Sequence, residues 1–381
     1  MKRVNNIYKK IYDIDNILEY AHIVCLNTTN KNKVERFNQY ISENIFYIRE
    51  LLISKKYTPG KYNIFLIKEP KLRIIMSQNI VDKIINHLCA KYFLIDVFDK
   101  KLIDSNIATR KGKGTHYGIK LLKKYLKEIS KINRKFYVLK FDIKKYFYNI
   151  DHEIVKDILR VNIKDKNALD ILVKIIDSTD EEYVNECIKK IKFNEINRVK
   201  NKNIKLNEKE IQIRELEDLP EYKVGKCFPI GNMSSQIFAI VYLNELDHYI
   251  KEKLKIKYYI RYMDDGVIIH EDKEYLKKCL QEIVEILKKY KLEVNVKKTK
   301  IDGLNNGIDF LGFRFYLKNC KIVLKLRNNT KKRFKKRSKE LIKMKKDKMI
   351  DKKEFDNLLA SYKGHLMWGS CGSLFYNNIR R

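Results

Sequence analysis

Punctuation is scarce in this chain. Only 4 Pro and 13 Gly are spread over 381 residues, and these two types are the ones that most sharply end helices and set tight turns. A collagen-like, Pro-rich or Gly/Ser-linker protein is excluded. Most breaks must fall to Asn, Asp and Ser, which predicts long and mostly helical elements. With 44% hydrophobic residues the chain can bury a large core, and at roughly 100–200 residues per domain it predicts two or three domains. No apolar run reaches the ~18–20 residues needed to cross a bilayer; Ile237–Leu243 is soon followed by Asn244 and Glu245. The start, Met1-Lys2-Arg3, is basic but leads into no apolar signal core, so a cytoplasmic location with no membrane partner is expected. Cys25, Cys89, Cys187, Cys227, Cys279, Cys320 and Cys371 form no Cys-x-x-Cys pair. They predict buried free thiols rather than a disulfide framework or a structural zinc site.

Charge narrows the function. Lys plus Arg number 82 against 48 Asp plus Glu, a formal net charge of +34, which calls for a polyanion: nucleic acid first, an anionic membrane surface second. AT-rich coding would enrich Lys, Asn, Ile, Tyr and Phe, but it would supply Glu as well and does not explain the imbalance. The most basic stretch, Lys325–Lys348, holds 13 Lys or Arg against Glu340 and Asp347. Phe334, Leu341, Ile342 and Met344 are interleaved and Thr330 is available as a cap. The segment reads as a helix with one face on a core and the other on phosphates, the alternative being a solvated surface helix.

Along the chain, Ile7, Ile11, Ile14, Ile17 and Leu18, and then Val34 to Leu52, follow helical spacing. Tyr62–Ile67 and Leu72–Met76 are β-rich runs joined by Lys68-Glu69-Pro70-Lys71, a hairpin with a basic tip. A helical stretch from Asn79 to about Phe98 precedes the basic glycine loop Ala108–His116, with Thr115 as cap of a helix through Leu126. Phe136–Phe141 predicts a buried strand ending at Asp142. Residues 180–224 show weak periodicity and read as an insertion. A helix is expected from about Ser234 to Lys251, another from about Lys273 to Tyr290, and a strand at Leu292–Val296. Between them, Tyr258–Tyr262 and Val267–Ile269 flank Met263-Asp264-Asp265-Gly266, a β-hairpin with carboxylates at its tip. No repeat of 20–50 residues is present.

Joining nucleotides uses two metal ions roughly 3.5–4 Å apart, and both need carboxylates on rigid backbone. A strand ending in one Asp beside a hairpin tip carrying two would supply them. Three acids buried together repel unless cations are present, which points to Mg²⁺ or Mn²⁺ rather than zinc. Taken alone, an Asp-Asp in a turn is ordinary turn chemistry; the flanking sequence changes that reading.

Tyr262-Met263-Asp264-Asp265 between two apolar strands resembles the catalytic motif of reverse transcriptases, and four further motifs of that family stand around it in the right order. Phe141–His152 resembles the first catalytic motif, with an aromatic, Phe147, five residues after Asp142. Pro229-Ile230-Gly231-Asn232-Met233-Ser234-Ser235-Gln236 resembles the second, Asn295–Thr299 with Lys298 the fourth, and Gly307–Phe313 the primer grip. The resemblance covers roughly Tyr62 to Phe315. It implies an α+β right-hand polymerase: fingers and palm over 1–318, the palm an antiparallel sheet backed by helices, and a basic helical thumb over 319–381. It further implies an RNA-directed DNA polymerase acting on deoxynucleoside triphosphates, a template RNA and an RNA/DNA hybrid. By the same resemblance Asp142, Asp264 and Asp265 bind two Mg²⁺, and Lys298 donates a proton to pyrophosphate, with Lys297 and Lys300 as close alternatives. Phe147 excludes a ribose 2′-hydroxyl, or else is plain core. Lys71 and Arg73 reach the triphosphate, Lys71 being otherwise surface charge, and Ile230, Gly231 and Gln236 line the nucleotide site. Arg110, Lys111, Lys113, Tyr262 and Gly312 would meet template or primer, as would Lys331, Lys332, Arg333, Lys335 and Lys336. The basic loop lacks Walker spacing. His116 and His152 read as structural hydrogen-bonders, metal ligation being the alternative. The aromatics of Ser361–Trp368, similar to a thumb end, either pack or touch the duplex.

Many reverse transcriptases carry Gln-Gly and Ser-Pro at the ends of the second motif, where this chain has Ile230-Gly231 and Ser235-Gln236. That departure, with Arg110–His116 upstream, resembles the enzymes of diversity-generating retroelements. There the positions of Ile230 and Arg73 are implicated in tolerating mispairs opposite template adenine. A branched aliphatic offers no hydrogen bond beside the incoming nucleotide, which weakens discrimination. A small basic accessory protein is the partner this subgroup implies. An antiphage-defence enzyme using a noncoding RNA, an intron maturase and a non-catalytic RNA-binding protein are the alternatives. RNase H, integrase or endonuclease functions are expected from other proteins.

Overall fold

The computed structural model describes residues 3–69, 71–318, 321–369 and 372–379. Pro70 of the hairpin tip, Cys320 and Cys371 lie outside them, as do the side chains of Ser361 and His365. Helices and antiparallel sheets are mixed, an α+β arrangement. The chain divides into two compact units, each assembled from separated stretches: Met1–Thr109, Ile143–Tyr249 and Ile283–Val294 form the first, and Arg110–Asp142, Ile250–Glu282 and Asn295–Arg381 the second.

The first unit is largely helical. A 3-10 turn at Tyr8–Ile11 and helices Ile14–Asn27, Lys31–Gln39 and Ile41–Ile53 account for the early helical spacing. Asp13 and Asn30 cap the first two of these helices by accepting N–H groups of Asn16 and Lys33, as Asx side chains do where Pro and Gly are rare. Strands β1 (Asn63–Ile67) and β2 (Arg73–Ser77) form the expected hairpin. Ile80–Cys89 is helical, capped by Asn79, and continues as a π-helical turn at Ala90–Ile95. The 180–224 segment has a definite job here. Its helices Glu182–Lys200 and Leu206–Glu217 bury Val184, Ile188, Val199 and Leu216 against Tyr62, Ile74 and Met76 of the hairpin, and the phenolic oxygen of Tyr183 accepts the Tyr62 N–H at 2.9 Å. The weak periodicity reflects helices that cover one small surface rather than a broad core.

The second unit holds the remaining strands: β3 (Tyr137–Asp142), β4 (Tyr258–Tyr262), β5 (Asp265–His270), β6 (Lys300–Gly303), β7 (Ile308–Phe310), β8 (Phe313–Lys318) and β9 (Lys321–Leu326). One antiparallel sheet runs β4-β5-β3-β6 and a second β7-β8-β9. Helix Thr115–Ile129 backs the first sheet at β4: the Tyr125 hydroxyl donates to the Tyr259 carbonyl, and its ring meets Tyr258 edge-on at 5.4 Å. Leu139, Phe141, Tyr259 and Ile268 are fully buried in that sheet.

Several expectations are corrected. No strand forms at Leu292–Val296; only Val294 pairs, with Ile143, and the Asn295 N–H is spent on the Asp142 carbonyl at 2.7 Å. The Ser234–Lys251 pattern starts at Met233, ends as a helix at Tyr242, and resumes after Leu243 leaves helical geometry (φ −99°, ψ 13°). Gly114 rather than Thr115 is the cap of the loop helix, because its φ of +107° is a conformation open to glycine. Of the residues described after 318, β9 comes first, and the basic helix begins at Asn328 beside Arg327, whose N–H donates to the Gly312 carbonyl at 3.2 Å. Strand pairing therefore sets that start, and Thr330 sits inside the helix.

Candidate active site

The acidic hairpin is tighter than its sequence suggests. Tyr262 and Asp265 already pair, leaving Met263-Asp264 as a two-residue turn, with Met263 at φ +54°. A non-glycine residue there carries strain that the surroundings must hold in place. Arg261 supplies part of the hold: it is fully buried and donates from Nη1 to the Met263 carbonyl at 2.7 Å. Gly266 is required for a different reason. It stands opposite Phe141 in the β3–β5 ladder, and a Cβ on it would lie 2.1 Å from Phe141 Cζ. The next rung of that ladder pairs Asp142 with Asp265. Strand register thus brings the end of β3 beside the hairpin tip.

Burial and repulsion dominate the electrostatics. Asp142 is 4% exposed; Lys298 Nζ reaches both its oxygens at 2.7 and 2.8 Å, and the Asp142 N–H donates to Thr299 Oγ1 at 3.3 Å. Asp264 is pushed up to about 6, first by burial, then by Asp265 and Asp142, with Lys298 opposing. Asp265 is also raised, by burial first and by Asp142, against the opposing charges of Lys140 and Lys298. Lys140 Nζ stands 3.5 Å from Asp265 Oδ1 and donates to the Asp309 carbonyl at 2.9 Å. Three carboxylates against two ammonium groups leave a net negative, all-oxygen site in which Asp264 and Asp265 resist ionising. Mg²⁺ or Mn²⁺ fits that donor set and would relieve the repulsion. Arg261, Lys140 and Thr299 were not singled out from sequence. A charged residue inside each apolar strand, Arg261 in one and Lys140 in the other, was the available signal.

The residues expected around the nucleotide lie in the first unit. Lys71 and Arg73 are exposed at the hairpin. Arg73 acts on Tyr148, whose hydroxyl is pushed up to about 12 by burial with Arg73 opposing, so the basic strand and the first motif are neighbours. Phe147 is half-buried, edge-on to Tyr146 at 5.9 Å, and its carbonyl accepts the Phe228 N–H at 2.8 Å. The Ile230 carbonyl accepts the Met76 N–H at 3.2 Å. Gly231, at φ +132°, lies where a Cβ would come within 2.9 Å of the Met76 carbonyl oxygen, so the backbone approach to β2 demands glycine. Thr109 Oγ1 donates to Gln236 Oε1 at 3.2 Å.

The expected nucleic-acid contacts lie in the second unit. Lys111 is exposed, and Arg110, Lys113 and Tyr262 are half-buried. Gly312 and Leu311 form the β7–β8 turn with φ of +84° and +50°. In the helix Asn328–Lys346, Phe334 and Leu341 are buried while Lys332, Arg333, Lys335 and Lys336 face outward and Lys331 is half-covered. Two aromatics of the 361–368 segment pack within the protein: Trp368 stacks on His116 at 4.7 Å, and Tyr362 meets Phe334 at 5.6 Å. Among the described residues no helix is long and apolar enough to cross a membrane. Residues 61–315 match the family model of the reverse transcriptase (RNA-dependent DNA polymerase) domain. No curated protein matches the chain.

Proposed function

The chain belongs to the reverse transcriptase family, and from that premise we propose that it extends a primer 3′-hydroxyl with deoxynucleotides on an RNA template. The observation that carries the reading is the register of β3 on β5, which sets Asp142 beside Asp265 at the rung next to the strained Met263-Asp264 turn. Asp142, Asp264 and Asp265 would hold two Mg²⁺, which when bound polarise the attacking oxygen and neutralise the leaving pyrophosphate. Lys298, whose side chain is half-exposed and bonded to Asp142, would donate a proton to pyrophosphate. Arg73 and Lys71 bind the triphosphate, Phe147 rejects the 2′-hydroxyl, and Ile230, Gly231 and Gln236 shape the base-pair pocket. The exposed cations of the Asn328–Lys346 helix, with Arg110, Lys111 and Lys113, hold the template–primer backbone. In this reading 1–318 form fingers and palm, and 319–381 the thumb.

Within the family, the reading favoured is error-prone synthesis in a diversity-generating retroelement, with a small basic accessory protein as partner. It is supported by Ile230, an aliphatic side chain that can form no hydrogen bond where other members carry Gln. The test is extension of a primed RNA template with Mg²⁺ and four deoxynucleotides, comparing wild type, Asp264→Asn and Ile230→Gln, followed by sequencing. Synthesis lost in Asp264→Asn, with substitutions opposite template adenine that fall in Ile230→Gln, is the expected result. Faithful or repetitive products would replace the retroelement reading with a defence role. Equal synthesis by wild type and Asp264→Asn would overturn the carboxylate assignment.

A further inference from the structure

His152 opens the helix His152–Asn162, is fully buried, and belongs to none of the machinery above. Its Nε2 lies 2.9 Å from the Cys227 carbonyl. A carbonyl only accepts, so Nε2 carries the proton, and in the neutral ring Nδ1 presents a lone pair. That nitrogen makes no well-aligned hydrogen bond. It faces Asp177 Oδ1 at 3.3 Å and Asp180 Oδ2 at 3.4 Å, and the three atoms lie within 4.8 Å of one another.

Three electron-pair donors turned on a common point repel each other unless something positive lies between them. Charged hydrogen bonds run at about 2.7–2.9 Å, shorter than either separation. Two ligands each about 2.0–2.1 Å from a tetrahedral ion stand roughly 3.3–3.4 Å apart, which is the spacing of His152 from each carboxylate. The remaining atoms are held in the way metal ligands are: Nε2 on a backbone carbonyl, and Asp180 Oδ1 accepting the Gly225 N–H at 3.0 Å. Lys156 Nζ lies 2.9 Å from Asp177 Oδ1 and 2.8 Å from Glu153 Oε1, so it can keep Glu153 when an ion takes Asp177. With a neutral imidazole, the carboxylates of Glu153, Asp177 and Asp180 against the one ammonium leave two negative charges, the complement of a divalent ion.

The geometry points to a binding site for a first-row divalent transition ion, of the Zn²⁺ or Co²⁺ type, at His152, Asp177 and Asp180. One imidazole with two carboxylates selects such an ion over Mg²⁺, which keeps to oxygen. The ion would pin the end of helix Lys166–Asp177 to residues 225–228, already laced to the first motif by His152 N–H to the Gly225 carbonyl and Cys227 N–H to the Ile150 carbonyl. It is thus a structural ion, separate from the candidate catalytic carboxylates, and its test is independent of polymerase activity.

The full metal-depleted chain is titrated with Co²⁺ under excess Mg²⁺, following visible absorption and bound metal after dialysis. One Co²⁺ per chain without a thiolate charge-transfer band is expected. The same binding is expected in Asp264→Asn, and affinity at least about tenfold weaker in Asp180→Asn and His152→Gln. If buried His152→Gln fails to fold, the partly exposed Asp180→Asn and the wild-type titration decide. No binding by wild type, a thiolate band, or affinity unchanged in Asp180→Asn would overturn the site.

Discussion

Replacing Asp264 with Asn should stabilise the metal-free protein while removing synthesis. In the folded chain this carboxyl titrates at about 6 against 3.8 for the free group. Between those values the folded state binds more protons than the unfolded one, so stability falls as pH rises through the window and the full cost is present above it. The gap corresponds to about 3 kcal/mol, and solvent at the half-buried tip trims this to about 1–3 kcal/mol. Asn keeps the shape and removes the charge. Each kcal/mol moves the midpoint of a unit of about 150 residues by about 2–4 °C. Thermal melts without divalent ions should therefore show Asp264→Asn several degrees above wild type at pH 8, the two converging towards pH 4. Adding Mg²⁺ should raise wild type more than the variant, since saturation at 100 times the dissociation constant contributes about 2.7 kcal/mol. A variant melting at or below wild type at pH 8, or a gap independent of pH, would refute the view that the three acids are held in mutual repulsion.

Gly266→Ala should destabilise by at least about 1–3 kcal/mol because its Cβ meets the Phe141 ring. Phe141→Leu should restore part of that loss, and strictly additive costs in denaturant melts would sink the explanation. Lys298→Met should slow single-turnover primer extension by about 10²–10⁴-fold if its ammonium is the proton donor; a rate within a few-fold of wild type would pass the role to Lys297 or Lys300. Phe147→Ala should relax discrimination against ribonucleotides by at least about tenfold, read from competitive incorporation, whereas unchanged selectivity with lower stability would make Phe147 plain core.

Local chemistry was legible where a short stretch carries its own constraint. The basic-tipped hairpin, the strand ending at Asp142, the acidic tip of β4–β5 and the amphipathic basic helix each follow from periodicity and turn composition within about ten residues. The breaks were less legible. Tyr242, Gly114 and Arg327 end or begin helices through backbone geometry and through partners far along the chain, such as the Gly312 carbonyl that receives Arg327. The same limit hid Arg261 and Lys140, whose charges disappear within apolar strands until their partners are seen.

The sequence by itself determined the inventory: a polyanion-binding chain, its carboxylates on β-prone segments and its cations on a helix face, because residue type and spacing act locally. Only the tertiary structure decided the pairings. Asp142 and Asp265 are separated by more than a hundred residues and meet through one register, which the bulk of Phe141 against Gly266 helps to fix. His152, Asp177 and Asp180 converge because the 225–228 segment is tied to Ile150 and His152 by long-range backbone hydrogen bonds and to Thr179 and Asp180 by side-chain ones. Residue chemistry is carried by each side chain alone, whereas a site is a set of distances, and distances between remote residues exist only once the chain has folded.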